Sequence, residues 1–204
     1  MIPVYFLNLS NHETLKNCVK QFDGKEEFEV NIMEVGKFKN KEMRKWEGIK
    51  KVVNKAITKE EDLCIICKEG HVFSEKYEFN AFLTKIYEGH RLGAKYLLGG
   101  LSGDYANALV LPSGLCWIDS FENSQFIVLY NSFYKPILEE EFLESHNVEE
   151  KLSKMTSNKF LIYPFISTYE KNINSQNSKV KSEIIAEKRM ENLIEKTRLY
   201  KKYQ

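Results

Sequence analysis

Residues 60–77, EEDLCIICKEGHVFSEKY, decide the fold. An acidic, turn-like start leads into a continuous apolar run over 63–67, which predicts a buried strand. The polar tetrapeptide KEGH follows at 68–71, and a new element begins near Ser74. Open α/β sheets bind their ligands where buried strands end in polar residues and glycine. The segment therefore predicts a strand with a ligand site at its carboxyl end.

Further strands flank this one on both sides along the chain. Short apolar or alternating runs predict them at 4–7, 28–35, 96–98, 108–111, 115–118, 125–130 and 160–166. The first strands alternate with helical patterns, which predicts an α/β fold with a mostly parallel sheet and right-handed crossovers. A hairpin around 112–114 makes the sheet mixed. Pro164 interrupts the last run, so we expect that strand at an edge of the sheet.

The chain divides into a globular part and a C-terminal appendage. Helical spacing predicts helices over about 11–22, 42–57, 79–87 and 133–142, and a domain over 1–166. Residues 167–204 begin with a polar, nearly core-free linker and end in a basic amphipathic helix over 180–200. That helix can lie on an anionic membrane surface, pack onto the domain, or mediate self-association.

Composition excludes some classes of partner. Thirty basic and 29 acidic side chains give the 204 residues a net charge of +1, so we expect no nucleic-acid partner. The N-terminus lacks a signal-peptide pattern, and the longest apolar runs are about half the length that crosses a bilayer or less, which predicts a soluble, cytoplasmic protein.

Four cysteines in a chain of this length do not indicate a disulfide framework. Cys64 and Cys67 form a CxxC pattern, but residues three apart on a strand point to opposite faces. We therefore expect both thiols to be buried in the core.

Several anchors in order carry a resemblance to a known family. They are VYFLNL at 4–9, a helix with Trp46, KEGH at 68–71, YLLGGLSG at 96–103, WIDSF at 117–121 and QFIVLY at 125–130. Over residues 2–166 the chain resembles glycosyltransferase family 25, the lipooligosaccharide-type sugar transferases with the GT-A nucleotide-sugar fold. The resemblance implies transfer of a sugar from a nucleotide-diphosphate donor to a glycan acceptor in cell-surface polysaccharide synthesis, with a divalent cation.

The metal-binding motif departs from the family pattern. Where the family has a cluster of carboxylates, this chain has Lys68, Glu69 and Gly70, with His71 next. Glu69 and His71 could hold Mn²⁺ or Mg²⁺ only weakly, and the absence of a metal is equally consistent with the motif. Lys68 could replace part of the cation's charge by contacting a phosphate. After the last strand, Glu170 is the only acid in STYEKNINSQN.

The resemblance places the nucleotide at the end of the first strand, beside Asn8 and Ser10. Backbone amides at a helix start suit phosphate or uracil, although both side chains fit plain helix caps. Gly100 lies in the glycine-rich stretch 99–103, which lacks P-loop spacing. It could allow a ligand to approach the backbone, or it could be a turn that needs a positive φ. Asp104 could meet a sugar hydroxyl.

The acceptor side of the site is predicted from the later strands. Asp119 ends the strand that carries Trp117, so we assign it as the base that deprotonates the acceptor hydroxyl, with Glu122 as the second choice. A cap or turn role for Asp119 is the alternative. Gln125 could hydrogen-bond the acceptor, and Trp117 could stack on a sugar or belong to the core.

Two functions fit these patterns. The first is an active glycosyltransferase, which the retained polar strand ends favour. The second is a catalytically inactive homologue that acts as a binding or scaffold protein, which the altered acidic motif favours.

Overall fold

The computed structural model of the protein describes residues 1–9, 12–169 and 178–202. The strands in these ranges are β1 Ile2–Asn8, β2 Phe28–Glu34, β3 Leu63–Cys67, β4 His71–Phe73, β5 Tyr96–Leu98, β6 Ala108–Val110, β7 Leu115–Ile118, β8 Phe126–Tyr130, β9 Lys159–Ile162 and β10 Ser167–Tyr169. The helices are α1 His12–Lys20, α2 Lys41–Thr58, α3 Phe79–Arg91, α4 Tyr134–Glu139, α5 Val148–Met155 and α6 Ser178–Lys202.

Eight strands form one mixed sheet in the order β2–β1–β3–β8–β5–β9–β7–β6. Strands β1, β2 and β3 are mutually parallel, as are β5 and β9. Strand β8 runs antiparallel between β3 and β5, and β7 runs antiparallel to β9. The predicted α/β fold with a mixed, mostly parallel sheet is confirmed. We call the edge at which β1, β3, β5 and β9 end the carboxyl edge, and the opposite one the amino edge.

Helices cover both faces of the sheet. On one, here called the α2 face, Cys64 and Ile66 of β3 pack against α2, α4, α5 and α6. On the other, the α1 face, Ile65 and Cys67 pack against α1 and α3. The two thiols are free, buried and on opposite faces, as the strand period predicts.

The C-terminal part of the sheet differs from the prediction. The run 160–166 is not one edge strand: β9 ends at Ile162, before Pro164, and lies inside the sheet between β5 and β7. The chain then turns into β10, which pairs with β4 in a separate two-stranded sheet. The proline breaks the ladder after β9, so it does not force β9 to the edge. The body of the protein thus extends to Tyr169, three residues past the predicted domain end.

Helix α5 was not predicted at all. It is eight residues long, and only Val148 and Leu152 supply buried apolar side chains. With the partly buried Met155 the apolar stripe still spans only two helical turns, which is too short for periodicity to reveal. Its start is nevertheless encoded locally, because the Asn147 side chain accepts a hydrogen bond from the backbone N–H of Glu150.

Gly100 allows the chain to pass close to itself at the carboxyl edge. A Cβ there would lie 2.0 Å from the carbonyl oxygen of Ser167, whose backbone N–H donates to the Gly99 oxygen at 3.1 Å. Gly100 does not have a positive φ, unlike Gly70 in the turn between β3 and β4, so the explanation by turn geometry is wrong. The backbone that approaches Gly100 is the segment leading into β10.

Helix α6 packs onto the domain through a narrow stripe. Ala186 and Met190 are buried on the α2 face, and Arg189 pairs with Asp104 while its guanidinium lies 4.5 Å from the Tyr105 ring centre. Ile184 and Ile185 in the first half stay 44% and 57% exposed. Of the predicted roles, packing onto the domain is therefore seen. None of the helices in the described part of the chain could cross a membrane.

We predict that Gly100→Ala lowers the free energy of unfolding by about 3 kcal/mol or more, because the new methyl group overlaps a backbone oxygen that cannot move alone. Urea denaturation measures this. Gly36→Ala is the matched control: its Cβ would meet only the Phe38 ring at 3.6 Å, so it should stay near wild type. Equal stability of the two variants would contradict the close approach.

We also predict that Met190→Ala lowers the free energy of unfolding by about 2–3 kcal/mol, because its side chain is fully buried between α6 and the domain. Ile185→Ala, on the same helix but exposed, should change stability by less than about 0.5 kcal/mol. Thermal and urea unfolding compare the two. If Met190→Ala matched wild type, α6 would not be docked on the domain in solution.

Candidate functional site

The carboxyl edge brings together strand ends from distant parts of the sequence. Strands β1 and β3 end side by side, with Phe6 opposite Cys67, and β8 begins beside them, with Cys67 opposite Phe126. The backbone N–H of Lys68 donates to the Gln125 oxygen at 2.8 Å, which extends the β3–β8 ladder by one residue. This edge collects five of the predicted site residues: Asn8, Lys68, Glu69, Gly100 and Gln125.

The end of β1 is tied to its neighbours by hydrogen bonds. The Asn8 amide donates to the Glu34 carboxylate at 2.9 Å, and the Leu9 N–H donates to Glu69 Oε1 at 3.3 Å. Arg44, near the start of α2, donates to the Leu9 oxygen at 2.5 Å and to the Asn8 oxygen at 3.2 Å. Arg44 thus positions the loop that follows β1, a role the sequence pattern did not reveal. Ser10 lies outside the described residues.

Lys68 forms an ion pair with Glu149 of α5. Both side chains are mostly buried, at 18% and 6% exposure, on the α2 face. Burial alone would raise the pKa of Glu149, but the charges of Lys68 and Lys45 and its hydrogen bonds outweigh that effect and lower it to about 2. Glu149 is therefore an anion held by lysines. The sequence pattern did not reveal Glu149 because it did not reveal α5.

The two predicted metal ligands lie in different surroundings. Glu69 accepts from the Leu9 N–H, whereas His71 is fully buried, with Nδ1 2.8 Å from Ser167 Oγ. The His71 ring packs against Phe73, Phe126 and Phe22, with centroids 4.6, 5.3 and 5.6 Å away. Burial lowers the pKa of His71 to about 3, so the imidazole is neutral.

These surroundings do not fit a divalent cation. Its preferred ligands are several oxygens, yet the His71 ring packs among phenylalanine rings, and its Nε2 is buried without a hydrogen-bond partner among the described residues. Within the described ranges, no three His, Cys, Asp or Glu side chains form a group that could hold a metal. Metal binding by Glu69 and His71 stays a prediction.

Gln125 lies beneath the loop that follows β5. Only 4% of it is exposed, and its amide nitrogen donates to the hydroxyl of Ser102. Its Oε1 atom is buried and has no hydrogen-bond partner among the described residues. Contact between Gln125 and an acceptor stays a prediction, and it would require the loop at Ser102 to move.

Asp119 lies away from the predicted residues of the carboxyl edge, at the amino edge. Because β7 runs antiparallel to β9, with Leu115 opposite Ile162, the end of β7 points away from the carboxyl edge. Four residues at roughly 3.3 Å each separate Asp119 from that edge by about 13 Å. There it accepts a 3.3 Å hydrogen bond from the Asn107 amide. Trp117 is partly buried on the α1 face, and its indole N–H donates to the Ser157 oxygen at 2.7 Å.

A polar groove connects Asp119 with the carboxyl edge. After β7 the chain returns through residues 119–123 alongside α5, and between them lies a groove of about 760 Å³, here called the α5 groove. Asp119 lies at its amino end, and Glu149 and Asn123 at the other. Its lining residues are Asp119, Ser120, Phe121, Glu122, Asn123, Asn147, Glu149, Glu150, Ser153, Lys154, Thr156, Ser157 and Lys159. Asp104 lies outside it, exposed and paired with Arg189 of α6.

Comparisons with known proteins show which solved structures have a similar fold. No protein-family model matches the chain, and no curated protein matches it. Among solved structures, apo UDP-glucose pyrophosphorylase is similar, with a TM-score of 0.50, 10% identity, and coverage of 93% of this chain and 82% of that one.

Two further solved structures are similar to the chain at lower TM-scores. HddC from Yersinia pseudotuberculosis, complexed with GMP-PN, has a TM-score of 0.45, 12% identity, and coverage of 89% of this chain and 98% of that one. A glycosyltransferase involved in glycosylation of the major capsid of PBCV-1 has a TM-score of 0.44 and 8% identity. That match covers 67% of this chain and only 63% of the glycosyltransferase.

The chain therefore has a mixed α/β fold of the GT-A-like kind found in nucleotide-sugar enzymes. At these identities the likeness shows the fold alone. Membership of glycosyltransferase family 25 stays a prediction.

We predict that Glu149 makes stability fall in acid. Its folded pKa of about 2 lies below the usual 4.5, so the unfolded chain takes up the proton first. The stabilisation is complete above about pH 4.5 and is lost as the pH falls towards 2, up to about 3 kcal/mol. Urea unfolding at pH 6 and pH 3 should show a smaller drop for Glu149→Gln than for wild type. Equal drops would show that the carboxylate is not held by lysines.

Proposed function

We propose that the protein binds a nucleotide-diphosphate sugar at the carboxyl edge and transfers the sugar to a glycan acceptor. One observation carries the proposal. At the carboxyl edge the Leu9 N–H donates to Glu69 at 3.3 Å and so joins the ends of β1 and β3, and the basic side chains of Lys68, Lys45 and Arg44 lie beside this contact. Cationic side chains and backbone groups at strand ends suit a diphosphate. The fold shared with UDP-glucose pyrophosphorylase, an enzyme named for such a sugar nucleotide, supports it.

In this proposal the donor's diphosphate contacts Lys68, and its nucleoside lies along the end of β1 at Asn8. Lys68 offers a point charge to the phosphate oxygens, which also gain charge as the leaving group departs. In the same proposal Asp104 meets the sugar, and Gln125 meets the acceptor once the loop at Ser102 moves. The acceptor class is a glycan precursor of cell-surface polysaccharide, in the cytoplasm.

Transfer requires a base for the acceptor hydroxyl. The acceptor oxygen forms a bond to the anomeric carbon, the bond from that carbon to the phosphate oxygen breaks, and the hydroxyl proton passes to a carboxylate. Asp119 would do this only for an acceptor that reaches about 13 Å along the α5 groove. Glu122 is exposed in the same groove and three residues nearer to β8, so it is the better-placed base.

A second function, sugar-nucleotide binding without turnover, is favoured by one observation. The β3 end carries Lys68 in an ion pair with Glu149 in place of a carboxylate cluster. A single ammonium suffices for binding, whereas a departing diphosphate develops more charge than one lysine neutralises. Release of free nucleotide diphosphate from the donor, with and without glycan acceptors, separates the two functions.

We predict saturable binding of at least one UDP- or GDP-sugar, measured by titration calorimetry in EDTA. Lys68→Met should weaken it tenfold or more, because a charge-assisted hydrogen bond to phosphate is lost. Lys135→Ala is the control: it removes an exposed lysine of α4 and should leave affinity unchanged. If neither wild type nor Glu149→Gln, which removes the carboxylate paired with Lys68, bound any nucleotide or sugar nucleotide, the proposed function would be overturned.

A further inference from the structure

Glu149 is an unusual residue to find beside a phosphate site. Its side chain is 6% exposed, comes from α5, and pairs directly with Lys68. Lys45, which pairs with Glu42 at 2.6 Å, adds a second positive charge to its surroundings. An incoming phosphate oxygen would seek the same contacts, because carboxylates and phosphates bind ammonium groups in the same way.

The position of Glu149 also offers its carboxylate a second environment, the α5 groove. The residue lines the solvent-open α5 groove, so a carboxylate displaced from Lys68 would have water beside it. A hydrated carboxylate avoids the penalty of a buried, unpaired charge. A diphosphate carries more negative charge than a carboxylate, so it gains more from Lys68 and Lys45 together than Glu149 does.

We propose that Glu149 is an internal counter-anion that occupies the phosphate-binding position of Lys68, and that a nucleotide phosphate binds by displacing it, with no divalent cation at the end of β3. This inference rests on the proposed function, and it adds the residue that sets ligand selectivity. Because the ligand must outcompete a resident carboxylate, the site discriminates against singly charged anions and favours di- and triphosphates.

Substituting Glu149 and substituting Lys68 should have opposite effects on phosphate binding. Glu149→Gln keeps the side-chain shape, removes the competing charge and frees Lys68, so it strengthens phosphate binding. The double variant Lys68→Met, Glu149→Gln leaves no buried charge unpaired, so it folds, yet it has no ammonium to offer. Glu140→Gln is the matched control, because it removes one carboxylate from a partly buried pair with Lys151.

The test is titration calorimetry of UDP and of inorganic pyrophosphate in EDTA, with circular dichroism to verify the fold of each variant. Glu149→Gln should bind UDP and pyrophosphate at least tenfold more tightly than wild type, and acetate should not compete. The double variant should lose this gain, Glu140→Gln should match wild type, and added Mn²⁺ should change the affinity of Glu149→Gln less than twofold.

Three results would overturn the inference. If wild type binds UDP and Glu149→Gln binds it no tighter, or if Glu140→Gln raises affinity equally, Glu149 is not the competitor and the proposed function stands without it. If Glu149→Gln binds only with Mn²⁺, the cation-free site is wrong. If neither wild type nor Glu149→Gln binds any nucleotide or pyrophosphate, the proposed function falls with the inference.

Discussion

The pairing of β3 with β1 on one side and antiparallel β8 on the other determines where chemistry can occur in this protein. If β3 lay directly beside β5, both strands would end at the carboxyl edge and no strand would begin between them. The inserted β8 runs the other way, so its preceding loop arrives at that edge, and the Lys68 N–H joins the Gln125 oxygen. The same reversal places the ends of β3 and β5 on either side of the start of β8. The site, the groove and the loop above it follow from this strand order.

Sequence patterns predicted what depends on local periodicity. The apolar run of β3, the long stripe of α2 and the opposite directions of Cys64 and Cys67 each follow from the spacing of buried positions, and the structure agrees. Gly100 is a position that local periodicity explains only in part. A glycine's presence signals that a side chain is excluded, but only the fold reveals that Ser167, far along the chain, excludes it.

The misplaced elements share another cause: their positions depend on non-local pairing. Asp119 follows a strand, yet nothing in WIDSF tells whether that strand runs with or against its neighbours, and the antiparallel pairing to β9 puts it at the amino edge. Glu149 could not be found because α5 is only eight residues long, so its apolar stripe spans two turns and tertiary packing has to stabilise it. The position of Lys68 after β3 indicated that it could contact a phosphate, but nothing in the sequence indicated that Glu149 is its partner.

A buried ion pair is a poor way to gain stability, since the desolvation of both charges offsets most of their attraction. Lys68 and Glu149 lie at the carboxyl edge, where α/β sheets bind ligands, and Glu149 borders an open groove. An apolar pair of similar size would stabilise this edge at least as well but would leave nothing to bind an anion. An ammonium there attracts a diphosphate with one unit of charge, half that of a divalent ion, so it favours binding over expulsion of the leaving group. Whether the protein turns over its ligand therefore depends on how much charge Lys68, Lys45 and Arg44 can jointly place against the departing phosphate.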